Sequence, residues 1–116
     1  MLYELNWVLD AYRVYSTLKH EAEAAAQGRQ AQGKTKSSKP EGLFRQVNKS
    51  LRFLRENPRH PGLRSHEYHS LTHPFDKDGK VWECYAQNQT PGAYRIFWCY
   101  GPKKNEITVI AITPHP

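Results

Sequence analysis

The chain has 116 residues, which suffices for a single domain with one modest core and not for two. Seventeen Lys+Arg against eleven Asp+Glu give a net charge of +6 and a pI near 9.4, a balance that suits a polyanionic or acidic partner. The opening Met-Leu-Tyr-Glu-Leu-Asn has no basic n-region, and the longest clean apolar run, 107 to 112, is interrupted by Thr108. A secretory or membrane-spanning segment is therefore not expected, and the expected location is the cytoplasm.

Tyr3 to Val8 alternates in the manner of a short, half-exposed strand. From Asp10 the period changes to three and four: Ala11, Val14, Tyr15, Leu18, Ala22 and Ala25 line one face, with Asp10 placed as N-cap and Gly28 as C-cap of a helix. Residues 28–39 carry Arg29, Lys34, Lys36 and Lys39 with no acidic residue, and read as a basic, flexible inter-helix loop, either a solvated connector or a phosphate-contacting one. Ser38-Lys-Pro-Glu41 has the spacing of a capping box, with Pro40 in the first turn. It opens a second helix whose apolar stripe is Leu43, Val47, Leu51 and Leu54, ended by Asn57-Pro58.

Residues 59–80 read as a loop with four histidines, His60, His66, His69 and His73, and a turn at Asp76-Lys-Asp-Gly79. No cysteine and no helical His-x-x-x-His accompanies them, so no metal site or other cofactor is expected. Three strands follow: 81–87, then 92–100 after the turn Asn-Gln-Thr-Pro-Gly92, then 107–113. Their short connections make an antiparallel meander. The expected architecture is α+β: a short N-terminal strand, two helices, then a three-stranded meander with the helices packed on one face. Cys84 and Cys99 fall inside neighbouring strands and read as buried, reduced hydrophobes, with a cross-strand disulfide as the alternative.

The central stretch, Tyr94-Arg-Ile-Phe-Trp-Cys-Tyr100, is apolar or aromatic at both parities except for Arg95. A guanidinium cannot shed its charge, so amid a covered strand it either pairs with a carboxylate or receives a phosphate. The last strand leads into Thr113-Pro-His-Pro116, where two prolines are expected to stop the ladder and hold His115 just past its end, either frayed or as an acid or base beside the arginine.

The order helix, helix, Asn57-Pro-Arg-His-Pro-Gly-Leu-Arg64, strand, Tyr94-Arg-Ile-Phe, then a strand ending near a histidine resembles the RelE/ParE superfamily of toxins from toxin–antitoxin pairs. The resemblance runs from about Asp10 onward over a single domain, 1–116. It implies an mRNA interferase that cuts message, usually on the ribosome, and is neutralised by a cognate antitoxin. It implies that Arg95 contacts the scissile phosphate, that His115 is an acid or base, and that Glu67 takes the ribose 2′-hydroxyl proton, although a surface glutamate would look the same. Arg64, Lys34 and Lys36 are the expected phosphate contacts, and Tyr85 could stack on a base, while Trp82 is read as core. The chain departs from the family pattern where strand lysines would precede the arginine, since Glu83 and Tyr85 stand there, and no tyrosine follows His115. Two other readings share these features: a ParE-like gyrase inhibitor with no chemistry, and a non-catalytic RNA-binding module.

Overall fold

The helices form where the three-and-four periodicity leaves one apolar stripe on each, and the strands form where β-branched and aromatic residues crowd both parities. A computed structural model describes residues 2–88 and 91–116. The order is β1 (Glu4–Trp7), α1 (Leu9–Ala31), α2 (Lys39–Glu56), a 3-10 turn (Pro61–Leu63), β2 (His66–Tyr68), β3 (Val81–Tyr85), β4 (Tyr94–Tyr100) and β5 (Glu106–Pro114). The fold is α+β, as expected. Two positions in the expected turn at 88–92, residues 89 and 90, lie outside the described residues.

The meander β3-β4-β5 is present, and a strand on either side widens it to five in the order β1-β5-β4-β3-β2. β1 pairs with β5 in parallel, Leu5 opposite Ile107 and Trp7 opposite Val109. At the other edge β2 pairs antiparallel with β3, His66 opposite Glu83 and Tyr68 opposite Val81. β4 lies at the middle of the sheet, which accounts for its covering on both faces.

One face of the sheet packs on the helices. Cys84, Ile96, Trp98, Ile107, Val109 and Ile112 meet Ala11, Leu18, Val47, Leu51 and Leu54 in a single core. A bulge between Phe97 and Trp98, where Ile110 is the extra residue on β5, brings Val109 opposite Trp98 and so keeps both in that core. The other parity of β3 and β4, Val81, Glu83, Tyr85, Arg95 and Phe97, necessarily points away from the helices. Cys84 and Cys99 therefore lie on opposite faces, both buried and both free thiols.

The boundaries of α1 differ from the expected ones for identifiable reasons. Val8, in extended conformation, is the N-cap, because its N–H still donates to Val109 of the sheet while its carbonyl accepts the first helical bond from Tyr12. Asp10 sits in the first turn, where its charge complements the helix dipole. Gly28 lies within the helix, which ends at Ala31, and the left-handed residue just past the Gln32 cap is Gly33, with φ 71°. The connector is accordingly 32–38, shorter than the expected 28–39. It is tied down: Arg29 Nε donates to both oxygens of Glu41 at 2.8 and 2.9 Å, and the same carboxylate takes the Ser38 N–H and hydroxyl in the expected capping box.

Candidate active site on the helix-free face of the sheet

Arg95 projects from the middle of the sheet on the face the helices leave open, because it shares its parity with Phe97 and not with Ile96. Its side chain is only 14% exposed. Nη1 donates to Glu83 Oε2 at 2.7 Å, and the guanidinium lies over the Phe97 ring at 4.8 Å and near the Tyr68 ring at 6.0 Å. Arg95 Nε is buried with no hydrogen-bond partner among the described residues. The cation is thus half-used: one edge holds a carboxylate and the Nε–H is left without an acceptor.

Glu83 is 3% exposed, and a carboxylate at that depth needs compensation. It has two partners, Arg95 on Oε2 and His66 Nε2 on Oε1. The result is a chain His66–Glu83–Arg95 running across three neighbouring strands, β2, β3 and β4. Both His66 nitrogens face acceptors, Nε2 the Glu83 carboxylate and Nδ1 the Arg64 carbonyl at 3.3 Å, so either can serve as a donor.

Tyr85 stands directly opposite Arg95 on the same face, and its ring lies between two imidazoles, His66 at 6.3 Å and His115 at 6.1 Å between centroids. His115 is not frayed. Pro114 pairs opposite Tyr94 within the strand, and the ladder continues one residue beyond it: the His115 N–H donates to Ala93 O at 2.7 Å and its carbonyl accepts from Gly92 at 2.9 Å. The expectation that the prolines stop the ladder is corrected, because the proline that lacks a donor is followed by a residue that supplies one. His115 Nδ1 lies 2.8 Å from the Pro116 oxygen, an acceptor only, so Nδ1 is the donor and the neutral ring has its lone pair on Nε2.

Arg95, Tyr85 and His115 are therefore brought together. Glu67 is not among them: its register partner is Trp82, on the helix side of the sheet, and its carboxylate meets His69 at 3.4 Å and Lys80 at 3.8 Å. The carboxylate at the arginine is Glu83. Arg64 stands exposed, with φ 50°, at the end of the 3-10 turn, and its carbonyl touches His66. Lys34 and Lys36 are exposed on the interhelical connector and not on the sheet.

His66 and Glu83 joined the site only once β2 was visible, because the alternation in His66-Glu-Tyr68 gives a face only when the segment is a strand. The remaining histidines have separate tasks. His60 stacks on Phe53 at 3.9 Å and accepts the Gly62 N–H, His73 Nδ1 accepts from Phe75 and Asp76, and His69 is an exposed partner of Glu67. Among the described residues, no group of three or more His, Cys, Asp or Glu could hold a metal ion.

No family model matches the sequence, and no curated protein matches it. Solved structures do match. The YoeB/ParE toxin from Agrobacterium tumefaciens superposes with a TM-score of 0.62 at 12% identity, over 97% of this chain and 99% of that one. The archaeal RelE of the RelE-RelB complex from Pyrococcus horikoshii OT3 gives 0.57 at 11%, over 98% and 96%, and the YoeB dimer from Staphylococcus aureus 0.57 at 11%, over the whole of both chains. The chain shares the fold of these YoeB/ParE and RelE structures. The likeness extends over essentially the entire length of the chain.

Proposed function

We propose that the protein is the toxin of a toxin–antitoxin pair and acts as a metal-independent endoribonuclease on mRNA. The observation that carries this reading is the half-used Arg95 on the open face of the sheet, its Nε–H buried and unpartnered among the described residues, opposite Tyr85, whose ring lies between the His66 and His115 imidazoles. In cleavage by the adjacent 2′-hydroxyl, that oxygen attacks phosphorus, the bond to the 5′-oxygen of the next nucleotide breaks, and a 2′,3′-cyclic phosphate remains. The step needs a base for the 2′-hydroxyl proton, an acid for the departing 5′-oxygen, and positive charge at the crowded phosphate. His115 Nε2 has the lone pair for the first, His66 has the Nδ1 proton for the second, and Arg95 supplies the third. Glu83 orients His66 and Arg95 together, and Tyr85 offers a ring on which a base can stack.

The message, the ribosome as the place of cutting, and an antitoxin as the neutralising partner belong to the same proposal. It is supported by the fold and, for the antitoxin, by the RelE-RelB complex among the similar structures. None of the helices is long and apolar enough to cross a membrane among the described residues, and the cytoplasm, where message is translated, is the proposed location. The test is to incubate purified protein with message, with and without ribosomes. New 2′,3′-cyclic or 3′-phosphate ends support the reading. Intact RNA accompanied by inhibited DNA supercoiling would favour the gyrase-inhibitor alternative, and salt-sensitive binding without turnover would favour the non-catalytic module.

A further inference from the structure

Behind the 3-10 turn, on the helix side of the sheet, lies a cavity of about 340 Å³ that the proposed chemistry does not use. Its walls are aromatic. Trp98, 1% exposed, stacks beneath the half-buried Trp82 at 6.0 Å and 22°, and Tyr100, 38% exposed, meets Trp98 edge-on at 5.1 Å. Its polar lining consists mainly of donors: Arg59, Arg64, His60 and Ser65. His60 accepts the Gly62 N–H on Nδ1, so Nε2 carries its proton. Among the described residues Ser65 Oγ is buried without a hydrogen-bond partner, an unusual condition for a hydroxyl that is free to rotate, and none of those that line the cavity is acidic.

This cavity adjoins a second, of about 440 Å³, through Pro61 and Arg64, which line both, and the second cavity reaches Tyr85. Arg64 therefore stands between the aromatic cavity and the ring flanked by His66 and His115.

We propose that the Trp82–Trp98–Tyr100 cavity is a nucleotide subsite, which takes a flanking nucleobase of a single RNA strand, with its phosphate on Arg64 and Arg59. The proposal rests on the reading that the chain handles RNA, and extends it to a site away from the chemistry. A nucleobase satisfies what the cavity lacks: a flat π-face to lie on Trp82, a polar edge for Ser65 Oγ, and an attached anion for two arginines that have no carboxylate in the cavity lining. An acidic protein segment would satisfy the arginines and leave both the stacked indoles and the buried hydroxyl unexplained.

The test observes the indole N–H resonances of the intact protein while 5′-AMP or 5′-UMP is added, with ribose 5-phosphate as the base-free control. Trp82 and Trp98 should move on titration, and Trp7, in β1 at the far edge of the sheet, should not. Trp82→Ala should weaken nucleotide binding roughly ten- to hundredfold, as loss of a stacking ring does. Ser65→Ala, which removes one hydroxyl and leaves the ring pair in place, should weaken it several-fold and guards against a merely unfolded Trp82 variant. Unmoved indoles at millimolar nucleotide, an equal response to ribose 5-phosphate, or tighter binding of an acidic peptide at the same resonances would each overturn the subsite. The binding readout needs no turnover, so the two readings fail separately: indoles that respond in a protein that cuts no RNA keep the subsite and sink the nuclease, and cleavage with silent indoles does the reverse.

Discussion

Arg95 Nη1 lies 2.7 Å from Glu83 Oε2, joining the permanent cation of the central strand to a carboxylate that is 3% exposed. Each group makes the other tolerable, and neither has a reason to be at that depth alone. Glu83→Ala should destabilise the fold by about 3–5 kcal/mol, the cost of leaving one member of a buried pair uncompensated. Urea denaturation measures it. The double variant Glu83→Ala/Arg95→Ala should lose less than the sum of the two single variants, a positive coupling of about 0.5–3 kcal/mol.

His115→Ala and His66→Ala should each lower RNA cleavage by about 10²- to 10⁴-fold, the range for loss of a general acid or base. His115→Ala should move the denaturation midpoint little, whereas His66→Ala, which takes one of the two partners from the buried Glu83, should lower it. Glu67→Gln, on the opposite face of the sheet, should retain cleavage within a few-fold.

The connector between the helices makes the fold acid-sensitive. The Arg29 guanidinium, aided by the Ser38 N–H and hydroxyl, holds the Glu41 carboxyl down from its ordinary 4.5 to about 2. A depressed carboxylate contributes stability that is fully present above its unfolded-state value and is lost as pH falls through the folded one. Stability should therefore decline between about pH 5 and pH 2. Glu41→Gln should flatten that decline, as followed by thermal unfolding across the range.

The two thiols should be inert in the folded protein. Burial, with the Glu83 charge adding to it, pushes Cys84 up to about 12, and burial pushes Cys99 up to about 11. With so little thiolate, native protein at pH 8 should resist alkylation at both positions, and both should react once urea exposes them. Mass spectrometry of iodoacetamide-treated samples counts the adducts.

Much of this was legible in the residues. The two helices, the capping box at Ser38 and Glu41, the meander and its central strand follow from periodicity and turn chemistry, signals that act over a few residues. What escaped was set by pairing at a distance. β2 is three residues long and its strand character comes from β3 beside it, so His66-Glu-Tyr68 carries no pattern of its own. The face on which Glu67 sits is decided by register, which a sequence window does not contain. Gly28 stays helical because the left-handed turn falls at Gly33, and composition does not choose between two glycines five residues apart. Arg95 was recognisable as an anomaly; that Glu83 holds one of its edges was visible only in the sheet.

Cleavage of RNA by Arg95 with the His66 and His115 imidazoles that flank Tyr85 can be tested directly. The most direct measurement is to map the ends produced when purified wild-type, Arg95→Met and His115→Ala proteins act on a defined message with ribosomes present. The account predicts 2′,3′-cyclic phosphate termini from wild type and a loss of at least about 10²-fold in both variants, with circular dichroism confirming that each remains folded. Cleavage by His115→Ala at the wild-type rate, or intact message under every condition, would contradict it.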